Sequence, residues 1–356
     1  MAVMEKGAFL VIIALLGMAH TIEHFGIEDQ MIGDLHTKVL WNTKTGEYVQ
    51  IITDLGGRVE DLVLMHKHHK KLRSVLLTHN KNSTEIKENA WWKNAILLPY
   101  ANRINGGKYT FYNGSYQLPI NDVTNNNAMH GFLENKTMKV EDQSIDKDAA
   151  FIKLSYQFDG KDPGYPFHPY VQLSYMLSDE GFDIHIEVTN MDPTEPMLFY
   201  VGWHPYFKCP VYKSVITFDR QCNKWAHVLL NNHAIPTGVT ESFTGFNGGT
   251  VIGGTLNNPT HYDDAYKAIN NPDVIKCSPA VLKTTLYDPD ADETVALYQD
   301  NFPIVQVFTG IVGATGEQAV AIEPMSAMTD SFNNHDSLEI LSGGETWTGI
   351  FGVHLG

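Results

Sequence analysis

From about residue 37 onward, apolar and polar positions alternate in short runs broken by turn residues, the pattern of strands half-buried against a core. Residues 151–158 (FIKLSYQF), 170–177 (YVQLSYML) and 182–188 (FDIHIEV) alternate with period two. Ser178-Asp179-Glu180-Gly181 joins the last two as a hairpin. The same reasoning predicts strands over 48–53, 58–65, 281–287, 294–299 and 304–309. In residues 108–118 (KYTFYNGSYQL), Asn113-Gly114 sits between two aromatic runs and predicts another hairpin turn. Residues 66–73 form a basic, His-rich stretch expected at the surface. Helical periodicity is scarce, with 265–269 one short piece that fits it. No linker or fixed-length repeat divides the chain. The expectation is all-β: one large antiparallel β-sandwich with wide sheets and few short helices, a single domain over 20–356.

Composition narrows the partners. Acidic residues outnumber basic ones 41 to 25, a net charge of −16, which argues against nucleic acid and anionic membrane surfaces. Neutral ligands fit best. The cysteines, Cys209, Cys222 and Cys277, show no metal-ligand spacing; one bridge such as Cys209–Cys222 is open, but three thiols make no disulfide framework. At the N-terminus Lys6 precedes an apolar run over 8–16, followed by the small-residue site Gly17-Met18-Ala19. This reads as a secretory signal over 1–19, with a secreted, periplasmic or secretory-pathway product and no stable membrane insertion after its removal. An uncleaved anchor, or a cytoplasmic protein that does not use the leader, is the alternative. Sequons at Asn82, Asn113 and Asn135 could carry glycans in a eukaryotic secretory pathway.

Four ionisable residues stand where the pattern predicts core. Arg103 ends the apolar stretch 95–104, and His130 follows a turn-rich loop. His204 lies among aromatics in YVGWHPYF with its backbone restricted by Pro205, and Glu323 closes the apolar run AVAIEPM. Taken singly, each has an ordinary structural role, as a solvated strand end or a core group satisfied by backbone.

Together they match one pattern. NRI (102–104), NAMHG (127–131), GYPFHPYVQLSYML (164–177), WHPYF (203–207), IPTG (235–238), VQVFTG (305–310) and AIEPM (321–325) occur in an order that resembles the aldose 1-epimerase, or galactose mutarotase, family over roughly 37–356. The resemblance implies a wide β-sandwich with a sugar cleft on one sheet and an enzyme that interconverts the anomers of a free hexose without a cofactor or metal. It implies Glu323 as general base and His204 as general acid, with Arg103, His130 and Asn102 at the sugar. An Asp after the IPTG turn is implied as a further hydroxyl ligand: Asp263, with Asp264 as the fallback. Met129 stands where the family usually has Leu, and Ser326-Ala327-Met328-Thr329-Asp330 departs from the usual continuation after IEPM.

The chemistry needs few groups. The C1 hydroxyl loses a proton while the ring oxygen gains one, the C1–O5 bond opens, C1–C2 rotates, and the steps reverse. One base and one acid on opposite sides of the ring suffice, starting as carboxylate and imidazolium. Trp203 or Tyr206 could pack on the C–H face of the sugar. The competing readings are a hexose-6-phosphate epimerase, which would need extra basic residues at the rim, and a secreted carbohydrate-binding protein without catalysis.

Overall fold

The alternating runs form strands, and the strands form three large antiparallel sheets and four two-stranded ones in a computed structural model that describes residues 24–221, 223–270, 281–313 and 316–356. The expected leader over 1–19 lies outside these residues, as do Cys222 and Cys277, and so does the Cys209–Cys222 pairing. No helix among the described residues is long and apolar enough to cross a membrane.

A five-stranded meander (Phe25–Ile32, Leu35–Asn42, Tyr48–Ile52, Arg58–Met65, Leu72–Ser74) opens the fold. A nine-stranded sheet follows, with Thr346–Leu355 between Gly181–Asn190 and Glu293–Asp300 near its middle. An eight-stranded sheet faces it, carrying in adjacent order Asn223–Leu230, Asp263–Asn270, Ile304–Val312 and Glu317–Met325. One apolar core joins the layers: Val305, Val307, Val320 and Ile322 from the eight-stranded sheet meet Leu173, Ile184 and Phe351 from the nine-stranded one, with Leu40 and Ile51 from the meander. This is the large antiparallel sandwich the alternation predicts, with two short α-helices, Ser83–Glu88 and Ser331–Asn334, among the described residues.

Three local expectations need correction. Residues 265–269 are not helical: they belong to the strand Asp263–Asn270, paired on both sides, where Ala265 and Tyr266 are buried. Five residues are too few for periodicity to separate the two states, and tertiary pairing decides. In the hairpin Lys108–Phe111/Gly114–Gln117, the turn is Tyr112-Asn113, with Tyr112 at φ 49°, and Gly114 already pairs with Phe111. A Cβ at Gly114 would meet the hydroxyl end of the Tyr116 side chain, which would have to shift to admit it. In the His-rich stretch, His66 is buried; its Nδ1 accepts the N–H groups of His68 and His69 and so closes the turn.

Candidate active site

The period of two along the eight-stranded sheet builds the floor of a cleft of about 450 Å³. Valines 305 and 307 turn into the core, so Gln306 and Phe308 face outward. Gln306 lies opposite Glu323, while Phe308 lies opposite both Asp263 and Ala321, and Ala321 opposite Tyr206. Directly paired residues share a face, which places Glu323, Asp263, Phe308 and Tyr206 on one surface. The same alternation separates the two aspartates. Asp263 lines the cleft, whereas Asp264 turns to the other face and meets His227 Nε2 at 2.9 Å.

The wall is a short strand pair, Arg103–Asn105 with Asn127–Met129, in which Met129 lies opposite Arg103. Asn102 (φ 55°) and His130 (φ 64°) flank it in left-handed conformations and lock together. The Asn102 N–H donates to His130 Nδ1 at 3.2 Å, and the His130 N–H donates to the Asn102 carbonyl at 2.9 Å. With Nδ1 accepting, the ring proton of neutral His130 sits on Nε2. Burial pushes the His130 imidazole well below its ordinary value, and His204 and Arg103 push it further.

Arg103 is held by carboxylates. Its Nε donates to Asp122 Oδ2 at 2.8 Å and its Nη2 to Asp263 Oδ2 at 3.3 Å, while Gln306 Nε2 donates to Asp263 Oδ1 at 2.7 Å. Burial opposes the guanidinium charge, but Asp263 and Asp122 outweigh it and hold Arg103 above its ordinary value. Asn102 Oδ1 accepts a longer bond from Arg103 Nη1 at 3.4 Å. Asp122 and Gln306 were not singled out in the sequence. Asp122 sits in a polar loop like any other, and Gln306 sits inside an apolar run whose facing could not be read without its partner strands.

His204 and Glu323 lie side by side, with Nε2 and Oε1 3.4 Å apart and side chains 7% and 3% exposed. Among the described residues His204 Nδ1 and Glu323 Oε2 are buried with no hydrogen-bond partner. Leaving such groups unpaired is costly, and catalytic sites are where that cost is tolerated. The His204 ring stacks on Tyr206 and meets His130 edge-on, with centroids 4.8 and 5.2 Å away. Burial pushes the Glu323 carboxyl well above its ordinary range, with Asp263 adding to the shift, and burial pushes the His204 imidazole down to about 3. Burial in the cleft therefore favours a neutral carboxyl–imidazole pair over the carboxylate–imidazolium pair expected from an acidic protein. Local desolvation outweighs net charge.

All six expected residues, Asn102, Arg103, His130, His204, Asp263 and Glu323, line this cleft. Tyr206 does as well, but Trp203 does not. It is fully buried, stacked on Phe351 at 5.0 Å, with its indole N–H donating to the Asn94 carbonyl. The aromatic walls are instead Trp91, Trp92 and Phe308, with Trp92 4.8 Å from the His130 ring. Among the described residues no group of three His, Cys, Asp or Glu side chains is placed to hold a metal ion.

Residues 39–354 match the model of the aldose 1-epimerase family. An uncharacterised Escherichia coli protein, YihR, is 26% identical over 315 residues, covering 87% of this chain and 91% of that one. Two solved structures share the fold. A galactose mutarotase-like protein from Clostridium acetobutylicum superposes with a TM-score of 0.74 at 19% identity, covering 94% of this chain and 99% of its own. A galactose 1-epimerase from Lactobacillus acidophilus superposes with a TM-score of 0.73 at 16% identity, over 94% and 99% of the two chains.

Proposed function

Since this chain belongs to the aldose 1-epimerase family, we propose that it interconverts the α and β anomers of an uncharged free aldose, with Glu323 as base and His204 as acid. The observation that carries the reading is the adjacency of these two groups, each with a buried atom lacking a partner, in one cleft.

Adjacency suits the reaction better than an arrangement across the ring. The hydroxyl O1 and the ring oxygen O5 are both bonded to C1, so the acid and base must reach two atoms on one carbon. Glu323 takes the O1 proton as His204 gives one to O5; the C1–O5 bond breaks and a C1 carbonyl forms. The pair is then a neutral carboxyl and a neutral imidazole, the form that burial favours. After rotation about C1–C2, the carboxyl returns its proton to the carbonyl oxygen as O5 attacks C1 and hands its proton to the imidazole. Carboxylate–imidazolium and carboxyl–imidazole differ only in where one proton sits, so the cycle needs none from solvent.

Charge favours an uncharged sugar over a phosphorylated one. Among the described residues lining the cleft, Arg103 is the single Lys or Arg, and Asp122 and Asp263 already pair with it. A phosphate would meet excess negative charge there. Arg103, Asp263, His130 and Asn102 present polar atoms for hydroxyls, and Trp91, Trp92 and Phe308 supply apolar faces for ring C–H groups.

Polarimetry on a panel of free aldoses and their 6-phosphates tests this. Glu323→Gln removes the base at constant size, so kcat is expected to fall roughly 10²- to 10⁴-fold while sugar binding by calorimetry persists. His204→Asn is expected to behave alike. Near-normal turnover in Glu323→Gln would overturn the assignment, and binding without any anomer exchange in the unmodified protein would favour a non-catalytic carbohydrate binder.

A further inference from the structure

Behind the cleft lies a buried charged cluster that the proton chemistry does not use. Glu60, on the strand Arg58–Met65, and His79 are both buried. Glu60 Oε1 accepts the His79 N–H at 2.7 Å, and Oε2 accepts from His79 Nδ1 at 2.9 Å. The other ring nitrogen, Nε2, lies 3.3 Å from Asn89 Oδ1. The orientation of that amide is fixed, because Oδ1 also accepts the Lys93 N–H at 2.7 Å and Nδ2 donates to Glu134 Oε2 at 3.2 Å. Both nitrogens of His79 thus face acceptors. The ring is thereby held from both sides, by Glu60 and by Asn89.

Asn89 ends the helix Ser83–Glu88 and begins a turn over 89–94 with three left-handed residues: Asn89 (φ 32°), Trp92 (φ 48°) and Asn94 (φ 58°). Such a run is strained and persists only where its surroundings over-determine it. The turn delivers Trp91 and Trp92 to the cleft wall. Its far end is tied separately to the segment bearing the acid: the Asn94 N–H donates to the His204 carbonyl at 2.9 Å and Asn94 Oδ1 accepts the Tyr206 N–H at 3.0 Å, and neither bond involves Asn89.

We propose that the Glu60–His79 pair, acting through Asn89, is a positioning device that sets the turn over 89–94 and so fixes the tryptophan wall against which the sugar packs. The role of that wall rests on the function proposed above. His79 and Glu60 touch no reacting atom; they act through Asn89.

His79→Phe removes both ring nitrogens at similar volume. The expected result is a KM raised roughly tenfold with kcat within about threefold of the parent, the signature of lost binding rather than lost chemistry. Asn89→Gly tolerates the left-handed backbone but lacks the side-chain oxygen, and it should reproduce the KM rise; it also carries the test if His79→Phe does not fold. Glu60→Gln should rescue: its amide N–H can donate to His79 Nδ1 while Nε2–H still donates to Asn89, so KM stays near the parent value. Nitrogen-15 indole resonances of Trp91 and Trp92, which need no turnover, should move in His79→Phe and Asn89→Gly but not in Glu60→Gln. Parent-like KM values and unmoved indole resonances in His79→Phe and Asn89→Gly would overturn the positioning role. An unmodified protein that exchanges the anomers of no aldose would instead sink the proposed function, and the indole spectra would still decide the role of His79.

Discussion

Glu323 and His204 together hold one transferable proton, and the directions of their shifts set the pH range over which they keep it. A second proton is added only as pH falls toward the lowered value of His204, about 3. The single proton is lost as pH rises through the raised value of Glu323. The free-protein profile, kcat/KM, should therefore show no acid limb near about pH 6.5, where an ordinary imidazole would titrate, and should decline only as pH rises through the raised value of Glu323. An acid limb centred near pH 6.5 in a polarimetric profile would refute this. Much of the site was legible residue by residue, because Arg103, His130, His204 and Glu323 each interrupt an apolar or turn pattern with an ionisable group. Their charge states were not legible, since the sequence carries net charge but not depth. Glu60 and His79 escaped notice for a related reason: each looks like an exposed polar residue until the strand and the loop are packed together.

At the scale of elements, the cleft depends on short pieces held in unusual backbone conformations. Gly131, at φ 64°, follows His130, and a Cβ on it would lie 2.3 Å from the Leu98 carbonyl oxygen. Gly131→Ala is expected to cost about 1–3 kcal/mol by thermal unfolding. It should also weaken sugar binding, because the backbone that clashes is the one that orients His130. A variant with the parent's melting temperature and KM would show that the loop can yield. Long alternating strands such as Ala149–Gln157 and Pro169–Ser178 were readable because period two persists over many residues. The choice between Asp263 and Asp264 was not. Neighbouring positions in a strand face opposite ways, and only the register against Ile304–Val312 says which of the two meets Arg103. The strand Asp263–Asn270 was itself the segment whose middle resembled helix.

For the whole molecule, the sandwich supplies the rigidity that lets unpaired polar atoms stay buried. The Trp203–Phe351 stack ties the segment bearing His204 to the strand Thr346–Leu355 in the opposing sheet. That strand pairs with Gly181–Asn190 on one side and Glu293–Asp300 on the other. Every side chain that lines the cleft precedes Thr346, yet without Thr346–Leu355 the nine-stranded sheet is two halves with an unfilled slot between them. A chain without that strand exposes two bare strand edges and an apolar layer, the features that invite misassociation. A version ending at residue 345 should accumulate as aggregate, and its soluble accumulation as a folded monomer would show that the sheet closes without this strand. The integrity of the pocket thus rests on a central strand of the opposing sheet, a segment that is not among the residues lining it.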